Sequence, residues 1–377
     1  MKRVGILTMH KVENVGSALQ AYALQRVVES LGYQCELIDY LYPTTEHLAY
    51  QNRIIQVQQL SILELIICLL RKIKATLRKK TDNPFEKFYK DNFHCSKQSF
   101  DNRLKLMSDS PSYDIYISGS DQVWNPQYIG FDTSFFLDFA PEGARRISYA
   151  SSFTISKLPI EFTKAYKGEL MKFDRISVRE RSGVNIVKEL TGKNSENVCD
   201  PTFLLNAEQW AELAEQSMFK TDEHYILVYL MAYAYNPYPD VYDYIERVYK
   251  QLNLPVVFFN TQVERKYNFR EIHVSIKGPN EFLYLFSNAD YVITDSFHGT
   301  AFSLIFQKPF ISCIQCREAV DSRVIDLLGE VGGINHTVVY NEDNEIPFSD
   351  LEKSVKDKVD RYRMKSVAYL AKSLKDE

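Results

Sequence analysis

The first forty residues constrain the fold most. Val4-Gly5-Ile6-Leu7-Thr8 reads as a short buried strand, and the loop Met9-His10-Lys11-Val12-Glu13 follows. Asn14 can cap a helix whose apolar positions are Val15, Ala18, Leu19, Tyr22, Ala23, Val27 and Leu31. Gly32 stops it, and Gln34 to Ile38 is the next strand. Strand, helix and strand in that order require a parallel pairing with a right-handed crossover. The alternation resumes at Ile115–Ser118, Ile147–Ala150 and Ile176–Val178, which read as strands ending in small or polar residues.

A second set follows Cys199-Asp200-Pro201-Thr202. Ile226–Leu230, Val256–Phe259, Tyr291–Thr294 and Phe310–Cys313 read as strands. Val241–Leu252, Asn280–Ser287 and Ala301–Phe306 read as helices between them. At about 150 residues per domain, 377 residues predict two α/β units. The expected division is 1–197, 198–350 and a polar C-terminal helix within 351–377.

A net charge of −4, from 45 basic and 49 acidic residues, argues against a nucleic-acid binder that relies on global positive charge. The six cysteines are scattered, and Met1–Leu7 leads straight into a strand without an apolar leader region. Both features predict a reduced, cytoplasmic protein. The longest apolar stretch, Leu65 to Leu70, is far short of the roughly 20 residues a membrane span needs. Cys313-Ile314-Gln315-Cys316 is a single CxxC with no second pair, so no metal is expected.

The sharpest cluster is Thr294-Asp295-Ser296-Phe297-His298-Gly299-Thr300, at the end of a strand and the start of a helix. Ligands of open α/β sheets bind there. A helix N-terminus favours a phosphate or carboxylate. Gly299 would let a ligand approach the backbone, and His298 could pass a proton. The bland alternative is that His298 caps the helix. Ser118-Gly119-Ser120-Asp121-Gln122 also follows a strand, and either cradles a ligand or forms a turn. Arg179 in Ser177-Val178-Arg179-Glu180 offers a fork for an anion, or else pairs with Glu180 or Asp200. Asn14-Val15-Gly16-Ser17 either binds an anion or simply caps its helix.

Taken together and in this order, these pieces resemble the polysaccharide pyruvyl transferase family. They are Asn14-Val15-Gly16-Ser17-Ala18-Leu19-Gln20, Gly119-Ser120-Asp121-Gln122-Val123-Trp124-Asn125-Pro126 and Tyr149-Ala150-Ser151-Ser152-Phe153. Ser177-Val178-Arg179-Glu180, Asp200-Pro201-Thr202 and Ser296-Phe297-His298-Gly299-Thr300 complete the set. The resemblance implies two Rossmann-like domains with parallel sheets in a GT-B-like arrangement, and a site in the cleft between them. It implies transfer of pyruvate from phosphoenolpyruvate onto two hydroxyls of a sugar, forming a ketal in surface polysaccharide biosynthesis. No cofactor beyond that donor is implied.

His298 matches the family's essential histidine, and Arg179 matches an arginine assigned to the donor. The expected binding set adds Asn14, Gly16, Ser120, Asp121, Ser152, Ser296, Gly299 and Thr300. Many members carry an arginine two residues before the histidine, where this chain has Ser296. Either Arg145, Arg146, Arg181 or Lys308 replaces it, or the donor is held differently.

The runner-up function is a GT-B glycosyltransferase using a nucleotide-sugar, and a third is a non-catalytic sugar- or lipid-carrier-binding protein. The implied acceptor is a sugar or lipid-linked oligosaccharide. Residues 61–80 carry Ile62, Leu65, Ile66 and Leu69 at helical spacing. Arg71, Lys72, Lys74, Arg78, Lys79 and Lys80 follow. That pattern suits peripheral contact with an anionic membrane face, or a packed helix with a solvated basic end.

Overall fold

The computed structural model describes residues 1–43, 47, 83–231, 236–260, 266–316, 323–340 and 342–375. The expected membrane-contact stretch, 61–80, lies outside the described residues. Two five-stranded parallel sheets form the frame. The first contains β1 (Arg3–Leu7), β2 (Gln34–Tyr40), β3 (Cys95–Phe100), β4 (Ile115–Ser118) and β5 (Arg145–Ser148) in the order β3-β2-β1-β4-β5. Its central strands are buried runs of Val, Ile and Leu, the pattern of a sheet covered on both faces. β6 (Ser177–Val178) and β7 (Glu196–Asn197) pair as a separate short ladder.

The second sheet contains β8 (Ile226–Tyr229), β9 (Val256–Phe259), β10 (Tyr291–Thr294), β11 (Phe310–Ile314) and β12 (Thr337–Val339) in the order β12-β11-β10-β8-β9. Each sheet therefore reverses its strand order once. The reversal falls between β1 and β4 in the first and between β8 and β10 in the second. Such switch points open a crevice at the carboxyl ends of the strands.

Four helices bear on the site: α1 (Val15–Ser30), α2 (Phe297–Ile305), α3 (Arg323–Val331) and α4 (Lys353–Leu374). α1 and α2 start at the two switch points, after β1 and β10. One apolar cluster runs through both halves. Tyr22 of α1 packs its ring 5.8 Å from Trp210, and Trp210 packs 5.2 Å from Phe302 of α2.

The structure departs from the sequence reading in five places. β3, Cys-Ser-Lys-Gln-Ser-Phe, has no apolar alternation to announce it, and the three-residue β12 was equally unannounced. The Ile176–Val178 segment is no strand of the first sheet: it meets β5 through hydrogen bonds between Ser148 and Ser177, and its ladder is with β7. α2 starts four residues before the expected Ala301, so His298 is its second residue. The tail helix is polar in composition, yet it buries Val355, Tyr362, Ser366, Leu370 and Leu374.

α4 returns to the first half. Tyr33 Oη donates to the Leu374 carbonyl at 2.9 Å, and Arg145 Nη2 donates to the Ser373 carbonyl at 2.9 Å. The Cys199 amide donates to Ser366 Oγ at 3.0 Å, anchoring the segment that leads into Asp200. No described helix is long and apolar enough to cross a membrane.

Ser366→Ala would strand the buried Cys199 amide, at a cost of about 1–3 kcal/mol. Denaturant unfolding should show a lower midpoint at an unchanged slope.

Candidate active site between the two switch points

The N-termini of α1 and α2 meet in the crevice. Asn14 is extended, and its side chain accepts the Ser17 amide at 3.1 Å, so Asn14 is spent on capping α1. Gly16 sits in the first turn. A Cβ built there would fall 2.0 Å from His298 Nδ1. The imidazole of one half therefore lies against the bare backbone of the other.

His298 is 9% exposed. Its Nε2 is buried without a hydrogen bond and lies 3.9 Å from Asp200 Oδ2. It does not cap α2; Ser296 holds the N-cap position, and its own side chain makes no capping bond. Burial pushes the imidazole pKa down. Asp200 and Asp121 oppose the shift, and Arg179 and Arg323 reinforce it. The free protein therefore holds His298 neutral near pH 7.

Arg179 makes both ion pairs that the sequence allowed. Nη1 donates to Asp200 Oδ2 at 2.9 Å, and Nε donates to Glu180 Oε1 at 3.3 Å. Nη2 is buried without a partner. The guanidinium lies over the Phe297 ring, 4.8 Å from its centroid. Burial works against its charge, but Glu180, Asp200 and Asp121 outweigh burial and raise its pKa.

Asp200 collects the network. Oδ1 accepts the Thr202 amide at 3.0 Å and the Thr202 hydroxyl at 2.8 Å. Oδ2 accepts Arg179 and, at 3.1 Å, the Ser120 hydroxyl. Burial opposes its ionisation, while His298, Arg179 and the Thr202 amide favour it and hold its pKa below the ordinary value.

The other expected binding residues sort by where their polar atoms go. Asp121 sits in the left-handed region at φ 73°, which aspartate tolerates. Its carboxylate accepts the Ser17 hydroxyl and the Gln122 amide. Ser152 donates to Glu180 and bonds Thr154. Thr300 bonds the Ser296 carbonyl and Ser312, so its hydroxyl is occupied inside α2 and the sheet.

Gly299 was expected to admit a ligand. Thr294 fills that space instead, because a Cβ at Gly299 would fall 2.1 Å from Thr294 Oγ1. The residue is needed to seat α2 on β10. Of the expected set, Arg179, His298, Ser296 and, through its Nδ2, Asn14 keep side-chain atoms without hydrogen-bond partners among the described residues.

The four proposed replacements for the missing arginine do not take its place. Arg145 and Arg146 begin β5, and Lys308 precedes β11, at the sheet ends away from the crevice. Arg146 donates to the Leu137 and Ala140 carbonyls. Arg181 stands at the rim, 68% exposed along its side chain and paired with Glu330.

Another cation of the pocket is Arg323, the first residue of α3. It shares a pocket with Arg179, Glu180, Asp200 and Phe297, and its guanidinium lies 5.7 Å from the Phe297 ring centroid. Nothing in the sequence singles it out, since a lone arginine at the start of a helix is ordinary.

The chain matches the family described as "Polysaccharide pyruvyl transferase" over residues 14–316. It belongs to the polysaccharide pyruvyl transferase family. No curated protein matches. Among solved structures, it resembles Methanocaldococcus jannaschii UDP-GlcNAc 2-epimerase in complex with UDP-GlcNAc and UDP. That likeness has TM-score 0.52 and 13% identity and covers 99% of each chain. It also resembles the S. aureus MnaA–UDP structure, at TM-score 0.50 and 10% identity, covering 97% of this chain and 91% of that one. These likenesses show the fold alone, two Rossmann-like halves in a GT-B-like arrangement.

In this pyruvyl transferase family member, neither cysteine of the CxxC joins a described group that could hold an ion. Such a group is formed by His10, Asp39 and Cys95, where Lys11 Nζ already neutralises Asp39 at 2.7 Å.

Gly16→Ala should force His298 aside and lower turnover at least about tenfold. It should also destabilise the protein by about 1–3 kcal/mol, the cost of overpacking. Gly168→Ala is the contrast. It lies within a helix, with nothing within 4 Å of its Cβ position, and should stabilise by about 0.5–1 kcal/mol. Thermal melts and activity assays of both variants check the pair.

Proposed function

We propose that this chain transfers pyruvate from phosphoenolpyruvate onto two hydroxyls of a polysaccharide or lipid-linked sugar, forming a cyclic ketal. The observation that carries the reading is the unpartnered Nε2 of His298, buried beside a cationic pocket at the α2 N-terminus. Neutral His298 takes the proton of the attacking hydroxyl as its oxygen bonds to C2 of the enol. The proton taken up by His298 is returned to C3, which becomes the methyl group. The second hydroxyl then displaces phosphate at C2, and its proton leaves with the phosphate. The charge on the leaving group is where arginines and a helix N-terminus have most to offer.

Glu180 supports an acceptor beside the donor. Its Oε2 is buried without a partner in the same pocket. A sugar hydroxyl is the kind of donor that would satisfy it. Ser296 Oγ, at the mouth of α2, is free for the donor's carboxylate.

A thermal-shift panel separates phosphoenolpyruvate from nucleotide-sugars. Protection by phosphoenolpyruvate, followed by phosphate release with an acceptor, is the expected outcome. Protection by nucleotide-sugars alone would make the protein a glycosyltransferase. His298→Asn should lower turnover about 100-fold, the scale of a lost general acid/base, without altering the melt.

The pH profile follows from the direction of the imidazole shift. His298 faces Asp121, Asp200, Arg179 and Arg323, and the net effect lowers its pKa from the ordinary 6.5. The basic form therefore persists as pH falls through 6.5. The acidic limb of kcat/KM should lie below that value in the wild type and be absent from the residual activity of His298→Asn.

A further inference from the structure

Arg323 makes no hydrogen bond or ion pair with any described residue. Its pocket neighbour Arg179 has one buried Nη2 without a partner. Both guanidiniums lie against one ring, Phe297, at 4.8 and 5.7 Å. Two cations brought together and partly removed from water repel each other, and folding alone gains little from the arrangement. Burial and the neighbouring Arg179 both lower the pKa of Arg323, which is the signature of that cost.

Glu180 and Asp121 offset part of this repulsion, but no described carboxylate pairs with Arg323. Asp200 is engaged by Thr202, Ser120 and Arg179, and Asp121 by Ser17 and Gln122. Glu180 Oε1 is taken by Ser152 and Arg179 Nε. The free donor edges in the pocket include those of the two arginines and the first turn of α2, which begins with Phe297 itself.

We infer that Arg179 Nη2, Arg323 and the α2 N-terminus form a subsite for a phosphoryl dianion, with Phe297 as the plate that spaces the two guanidiniums. Arg323 thereby does the work of the arginine that Ser296 replaces. A tetrahedral dianion has enough oxygens to take hydrogen bonds from two forks at once, and a monoanionic carboxylate has only two. The inference rests on the donor reading above for the identity of the natural ligand, but not for the chemistry of the subsite.

The experiment measures binding of inorganic phosphate, phosphoenolpyruvate and pyruvate by calorimetry. It compares wild type, Arg323→Gln, Arg323→Lys and the rim control Arg181→Gln. Wild type should bind phosphate and phosphoenolpyruvate at one site, with pyruvate far weaker. Arg323→Gln should weaken both phosphoryl ligands at least tenfold, Arg323→Lys should fall between, and Arg181→Gln should change them less than threefold. The ligand-free melting temperature of Arg323→Gln should hold or rise, because the repulsion is gone, whereas a structural arginine would lower it. Unchanged phosphate affinity in Arg323→Gln and Arg323→Lys, or no phosphate binding to wild type, overturns the subsite. Phosphate binding that depends on Arg323, with phosphoenolpyruvate neither bound nor turned over, upholds the subsite and overturns the donor reading instead.

Discussion

The carboxylate of Asp200 is the point on which the site depends. It is fully buried, and it is satisfied from three directions: its own turn through Thr202, the β4 loop through Ser120, and the β6 end through Arg179. His298 approaches it from the second half. Burying such a charge is unfavourable unless every lone pair is used. That requirement fixes the relative positions of four segments distant in sequence. Loss of any one partner would leave the charge uncompensated and release the others.

Around this centre the protein divides labour between polar atoms that hold the site and polar atoms that remain available. Asn14, Ser120, Asp121, Ser152 and Thr300 are holders, each with its oxygen engaged by the chain itself. Arg179 belongs to both groups, since two of its nitrogens brace the network and the third is free. The glycines also act by what they lack. Gly16 makes room for an imidazole and Gly299 for a threonine side chain, so close backbone packing positions both.

Much of this was legible in the sequence. The strand–helix–strand start and the tandem repetition of α/β units followed from period and punctuation, because buried parallel strands read as short apolar runs. His298, Arg179 and Asp200 stood at strand ends, where chemistry gathers in such folds. Other features were hidden for physical reasons. β3 is polar along most of its length, and its Asp39-facing residue, Ser99, bonds a side chain rather than filling a core. The α4 face is a sparse stripe within a charged helix, so its docking on the first half left only a weak pattern. Arg323 was invisible because nothing about a single arginine declares that tertiary packing will leave it without a counterion. The choice between capping and binding at Asn14 and Thr300 likewise needed coordinates.

The return of α4 sets a timetable for biosynthesis. Tyr33 and its hydrogen-bond partner Leu374 are 341 residues apart in the chain. At roughly 5–20 residues per second, Tyr33 waits on the order of 20–70 s on the ribosome before its partner in the covering helix exists. During that interval the surface awaiting Leu370 and Leu374 stays wet, and the Cys199 amide has only water in place of Ser366. Nascent chains of this protein therefore carry an uncapped first half throughout the synthesis of the second, with apolar surface open to chaperones in that interval.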